Sequence, residues 1–270
     1  MTGSLPDLVV LGAPKAGTTS LAGWLSQHPQ VRMSATKELE FFDRWYERGV
    51  PWYREQLPPP GPYVVGEATP TYLGHPLAPQ RAAETLLPDA RFVAVLREPV
   101  SRAWSQYWFF CMLGVERRSW SAALRAEGSG PKRPDYLGRG RYAEQLARWD
   151  RAVGSDRLLV LLFDDLVTDP AGTYAQVCHF AGVADDIPPS STDSVNPTFQ
   201  PRHRTLQYAL RNTRLARLPW GRRVWMWNAH GGRPPQLDPD EARRLRGRFI
   251  EDNAQLAARI GRQLPASWAP

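Results

Sequence analysis

Lys15 is one of only three lysines in a chain of 270 residues that carries 34 basic side chains; the others are Lys37 and Lys132. It lies between an apolar run, Leu8 to Leu11, and a hydroxyl-rich stretch, Thr18-Thr19-Ser20. Gly12, Ala13, Ala16 and Gly17 leave little side-chain bulk around it, so a ligand can approach the main chain closely. A strand, a small-residue loop and a helix start together offer backbone N–H groups and a positive dipole end to an anion. The ammonium adds a compact charge with three donors. Gly12 and Gly17 have the spacing of the phosphate loop of nucleotide-hydrolysing enzymes, but Thr18 stands where that pattern needs its lysine. The lysine has moved into the loop, which weakens the magnesium logic of an ATPase. An ordinary strand-to-helix turn is the plain alternative for the same residues.

A second charge ends a second apolar run. Arg91-Phe92-Val93-Ala94-Val95-Leu96 leads into Arg97-Glu98-Pro99. Val100, Ala103, Trp104, Tyr107, Trp108 and Cys111 then recur at helical spacing, with Pro99 suited to the first helical position. That stripe reads as core. Ser101 and Ser105 lie off it, one turn apart. Arg97 is thus expected at the carboxyl end of a buried strand, with Ser105 two turns into the next helix.

These groups need a frame that brings strand ends together. Strands are expected at Leu8–Leu11, Tyr63–Gly66, Arg91–Leu96 and Leu158–Phe163, with a helix at Ser20–Gln27 that stops before His28-Pro29. The alternation predicts an α/β fold, a P-loop-like parallel sheet flanked by helices in three layers. Ligands of such sheets sit at the carboxyl ends of the strands. Asp238-Pro239-Asp240-Glu241 has the form of a helix start, and Leu245, Phe249, Leu256 and Ile260 give that helix an apolar side, expected to pack on the sheet. The length predicts one domain over residues 1–270, with the sheet and phosphate motifs mainly in 6–183 and late loop and helices in 184–270.

Composition narrows the classes further. Cys111 and Cys178 are isolated and read as buried, reduced thiols, and the five His show no zinc-ligand spacing. No stretch approaches a transmembrane run and no signal pattern opens the chain, so a cytoplasmic protein is expected. The net charge is +7, and Arg202 to Arg223 holds seven Arg and no acid. Such a patch suits nucleic acid, a membrane or a small polyanion, or is a solvated helix face.

With the loop, the strand-end Arg and the following Ser in place, the chain resembles the sulfotransferases that use 3′-phosphoadenosine 5′-phosphosulfate (PAPS), in particular the heparan-sulfate-type branch and its bacterial relatives. The matching pieces are Pro14-Lys15-Ala16-Gly17-Thr18-Thr19-Ser20-Leu21, Lys37-Glu38-Leu39-Glu40-Phe41-Phe42-Asp43, Gly66-Glu67-Ala68-Thr69-Pro70-Thr71-Tyr72, and Leu96-Arg97-Glu98-Pro99 through Tyr107. The resemblance implies that Lys15 with Ala16, Gly17, Thr18, Thr19 and Ser20 holds the 5′-phosphosulfate. It implies that Arg97 and Ser105 hold the 3′-phosphate, for which Arg suits a bidentate contact. Glu38 matches the residue that acts as base on the acceptor hydroxyl, with Glu67 and His75 as reserves and Lys37 and Glu40 as residues facing the substrate. The late cofactor loop would be Asn196 to Arg204, with Arg202 or Arg204 closing over the nucleotide and Phe199 a core aromatic or an adenine stack. Ala68 departs from the lysine that several heparan-type enzymes carry there, and their paired late-loop cysteines are missing.

The implied reaction is sulfuryl transfer to a hydroxyl, or an amine, of a small-molecule, lipid or carbohydrate acceptor, without a metal. Like phosphoryl transfer it rests on positioning and charge stabilisation. Two other classes compete. A nucleotide kinase or NTPase would use Asp164-Asp165 after the Leu158–Phe163 run as its magnesium site. A non-enzymatic nucleic-acid binder would use the Arg202–Arg223 patch; no nucleic-acid partner is expected, because no binding motif accompanies that patch.

Overall fold

A computed structural model describes residues 3–127, 134–191, 198–213 and 218–270. Its strands are β1 (Leu8–Gly12), β2 (Val31–Met33), β3 (Val64–Ala68), β4 (Arg91–Leu96) and β5 (Leu158–Leu162). Its helices are α1 (Thr18–Leu25), α2 (Gly49–Glu55), α3 (Ala78–Thr85), α4 (Pro99–Met112), α5 (Trp120–Arg125), α6 (Tyr142–Val153), α7 (Phe163–Thr168), α8 (Pro170–Ala181), α9 (Arg204–Asn212), α10 (Gly221–Ala229), α11 (Pro239–Arg246) and α12 (Ile250–Ile260).

The five strands form one parallel sheet in the order β2-β3-β1-β4-β5. β1 lies at its centre, where Val9 stands opposite Glu67 of β3 and Phe92 of β4. Every residue of β1 is buried; a strand covered on both faces has no polar side, hence the unbroken apolar run. β4 has the span read from sequence. β3 starts and ends later than expected and so takes in Glu67 and Ala68. β2 escaped the sequence reading because three residues with Arg32 in the middle show no apolar run. Helix α1 begins two residues earlier than expected: Gly17, at φ 87°, turns the chain ahead of it, so the hydroxyls of Thr18, Thr19 and Ser20 open the first turn.

The chain divides into two compact units. The first comprises Met1–Arg97, Tyr142–Asn196 and Asp252–Pro265 and contains the whole sheet; the second comprises Glu98–Arg141, Pro197–Glu251 and Ala266–Pro270 and is helical. The helical unit draws its core from separate parts of the chain. Val100, Ala103, Tyr107, Trp108 and Cys111 of α4 form a core with Trp120, Tyr136, Leu245 and Phe249. Burying such large apolar side chains is worth about 1.5–3 kcal/mol each, so α4 and α11 belong together. Leu245 and Phe249 therefore pack in the helical unit rather than on the sheet. Asp238 caps α11 as expected, accepting from the Glu241 N–H at 2.9 Å. Arg102, fully buried off the predicted stripe, donates to Gln106 and to the Tyr136 carbonyl. Both cysteines are buried and reduced, and burial pushes the Cys111 thiol up to about 12. No helix among the described residues is long and apolar enough to cross a membrane.

Candidate functional site

Because the strands are parallel, β1, β2, β3 and β4 all deliver their next residues to one edge of the sheet. β1 releases the Lys15 loop, β2 the segment that carries Lys37 to Glu40, β3 Thr69, and β4 Arg97. Backbone bonds tie these exits together: Ala13 N–H donates to Val95 (2.7 Å), Thr69 N–H to Val10 (3.1 Å) and Ser34 N–H to Gly66 (2.8 Å).

The Lys15 loop is held open by its backbone. Lys15 takes φ 69° and Gly17 φ 87°. A Cβ on Gly17 would sit 2.7 Å from Leu166 Cδ2 and against the Phe163 ring, so glycine is required there on two counts. The α1 N-terminus has no side-chain cap and no acid in its first turn, the condition under which its N–H groups and dipole serve an anion. Arg97 donates to the Lys15 carbonyl at 3.1 Å and lies 4.7 Å from the centre of the Phe163 ring. Tyr142 holds the Arg97 carbonyl at 2.8 Å. The two cations predicted from sequence are therefore neighbours. Burial, then the charges of Arg97 and Lys37, lower the Lys15 ammonium from 10.5 to about 8, against the pull of Glu38. An ammonium whose charge is disfavoured by burial and by two neighbouring cations is poised for an anion.

Lys37 and Glu38 belong to the same neighbourhood, as their action on Lys15 requires. They pair at 3.5 Å and both side chains are about half exposed. Glu38 and Glu40 take φ 58° and 51°, and with Lys15 they are the non-glycine residues at positive φ among the described residues. Such a conformation costs about 1–2 kcal/mol per residue, and strained residues cluster at functional sites. Glu40 pairs with Arg44 at 3.1 Å, and its carbonyl accepts from Arg44 and Trp45 in a π-helical turn over Phe41–Trp45.

Glu67 lies elsewhere than expected. It is inside β3, fully buried, with Tyr53 and Thr69 donating to its carboxylate. His75 sits in the turn before α3, where its Nδ1 accepts from Leu77 N–H at 3.3 Å. Ser105, Arg202 and Arg204 belong to the helical unit. Ser105 is half-buried on α4. Arg204 donates to the Tyr107 hydroxyl and to the Arg118 carbonyl (3.0 Å). Arg202 is exposed and donates to the Trp227 carbonyl at 3.1 Å. Phe199 packs on the His230 ring at 4.7 Å, and Asn196 and Pro197 lie outside the described residues. The acid proposed for a magnesium site, Asp165, has both oxygens on Arg262 at 2.8 and 3.0 Å. Sequence reasoning missed Tyr53, Thr69, Tyr72 and Phe163, because hydroxyls and rings carry no spacing signal.

The profile described as "Sulfotransferase family" matches residues 56–186. Heparan sulfate glucosamine 3-O-sulfotransferase 6 of Homo sapiens is 34% identical over 181 residues, covering 66% of this chain and 52% of that protein. Bifunctional heparan sulfate N-deacetylase/N-sulfotransferase 3 of Homo sapiens is 29% identical over 291 residues, covering 98% of this chain and 31% of that protein. The chain spans about half the length, or less, of these curated relatives. Among solved structures, a sulfotransferase from Alicyclobacillus acidocaldarius matches with a TM-score of 0.76 at 26% identity, covering 98% of this chain and 99% of that one.

Proposed function

The chain belongs to the sulfotransferase family, and on that premise we propose that it transfers a sulfuryl group from PAPS to a hydroxyl, or an amine, of a small-molecule, lipid or carbohydrate acceptor. The observation that carries this reading is the meeting of Lys15, Arg97, Lys37 and Glu38 at one sheet edge, with Lys15 and Glu38 both held at positive φ. Three cations beside one acid suit a donor rich in negative charge and an acceptor that must lose a proton.

The donor, when bound, supplies a sulfuryl group on a good leaving group. The α1 N-terminus and the Thr18, Thr19 and Ser20 hydroxyls offer donors to its phosphosulfate end. Lys15 places an ammonium at the loop's centre, where it offsets charge gathering on the departing oxygen. Arg97 fixes the Lys15 main chain and brings a guanidinium charge to the phosphate. Glu38 accepts the acceptor's proton; its partial exposure and its pairing with Lys37 keep a carboxylate within reach of an incoming hydroxyl. The burial of Glu67 assigns it another part, and His75 remains the reserve base. Family resemblance further assigns Ser105, Arg202 and Arg204 to the nucleotide.

The test is an acceptor screen with sulfur-labelled PAPS, comparing wild type with Glu38→Gln. The variant is expected to keep binding of the bisphosphate product, 3′-phosphoadenosine 5′-phosphate (PAP), and to lose about 10²–10⁴-fold in turnover. Unchanged turnover would remove Glu38 from its role.

A further inference from the structure

Glu67 is a buried carboxylate that the transfer chemistry leaves unused. Among the described residues no cation donates to it. Its partners are three hydroxyls: Tyr53 on Oε1, and on Oε2 Thr69 at 3.0 Å and Tyr72 at 3.5 Å. Burial pushes its carboxyl up to about 7, while these hydroxyls pull the other way and Asp43 adds to the rise. Burial and the charge of Glu67 raise the Tyr53 and Tyr72 phenols well above their ordinary value, so both stay protonated.

Two of these hydroxyls look the other way as well. The Tyr72 oxygen accepts from the Phe41 N–H at 2.8 Å, and the Thr69 oxygen from the Glu40 N–H at 3.4 Å. Each hydroxyl has one proton and two lone pairs, and a backbone N–H only donates. A proton sent to Glu67 leaves a lone pair for the loop. Above about pH 7, where the carboxyl is mainly ionised, it accepts only and so enforces this polarity in both hydroxyls at once. Tyr53 closes the arrangement by stacking on the Phe41 ring, 4.2 Å between centres and 6° between planes. The anchored amides belong to Glu40 and Phe41, two and three residues after Glu38, in the segment that holds Glu38 and Glu40 at positive φ.

We propose that Glu67 is a positioning residue for Glu38: through Thr69 and Tyr72 it fixes the main chain at Glu40 and Phe41 and thereby holds the acceptor-side base over the donor. The effect on turnover rests on the sulfuryl-transfer reading; the anchoring of the loop does not.

The experiment compares wild type, Glu67→Gln, Tyr72→Phe and the double variant. Hydrogen exchange of the 37–45 peptide, PAP binding, and kcat and donor KM are measured on each. In Glu67→Gln one amide N–H must face a hydroxyl whose own proton then has no acceptor. Tyr72→Phe deletes the acceptor of the Phe41 N–H and keeps the ring against Phe42. Each single change is expected to speed exchange in 37–45 and to lower kcat by about 10-fold or more, the scale of one buried polar group left unsatisfied. PAP affinity and donor KM should hold. The double variant should be no worse than the poorer single, since both cut one relay. Unchanged exchange in variants that still bind PAP overturns the proposal. So does multiplicative loss in the double variant, or loss of donor affinity in parallel with kcat. Where Glu67→Gln fails to fold, Tyr72→Phe decides by the same criteria. Should even the wild type fail to transfer label from PAPS, the sulfuryl-transfer reading falls, and exchange alone still judges the relay.

Discussion

The binding of PAP should weaken with rising pH through the titration of Lys15. The free protein holds this ammonium at about 8 because burial, Arg97 and Lys37 disfavour its charge. A phosphate beside it reverses that balance and raises its pKa in the complex. The sign follows by linkage. Below about 8 both states are protonated and affinity is at its full value; above it the free protein has lost a proton that the complex keeps, so binding must take one up. Between pH 7 and 9.5 the loss is then about 30-fold, or roughly 2 kcal/mol at 1.4 kcal/mol per decade. The ligand contributes little, since a phosphate with a second pKa of about 6 is already about nine-tenths in its dianionic form at pH 7 and more so above it. Isothermal titration calorimetry of PAP over this range measures it, in two buffers of different ionisation enthalpy to count the proton. Lys15→Arg, whose guanidinium stays charged, should flatten the profile, and Lys15→Met should flatten it at lower affinity. A flat wild-type profile, or one that keeps its slope in Lys15→Arg, refutes the assignment of Lys15 to the phosphate.

Two further perturbations probe the frame around that lysine. Arg97→Ala removes a donor to the Lys15 carbonyl and a charge for the phosphate, so calorimetry should find PAP binding weakened about 10–100-fold, the scale of one charge-assisted bond. Gly17→Ala forces a side chain into φ 87° and against Leu166. The backbone alone should cost about 1–2 kcal/mol; a melting curve should fall by several degrees and PAP affinity with it, and an unchanged melting temperature would contradict the geometry of the turn.

The sheet was legible because its central strands are covered on both faces: β1 and β4 are unbroken apolar runs, and Arg97 marks the end of one by its charge. Lys15 was legible as a lysine out of place in a chain that otherwise writes Arg. Edge strand β2 was not, since three residues around Arg32 carry no pattern. Nor was the helical unit, which depends on Tyr136 and Phe249 meeting α4 from distant parts of the chain. Sequence places Glu67 just past the strand end rather than inside the strand, the position of a reserve base. Its burial is a consequence of register, Glu67 opposite Val9. The left-handed backbone at Glu38 and Glu40 has no signature in residue type, because glutamate gives no hint of positive φ.

What the Lys15 loop binds decides the function, and a thermal-shift comparison of PAP with ATP, each with and without magnesium, reads it out. A phosphosulfate site with Arg97 as its second cation predicts a large shift with PAP, the same with and without magnesium, that disappears in Lys15→Ala. A large magnesium-dependent shift with ATP and none with PAP would contradict it and return the loop to the nucleotide kinases.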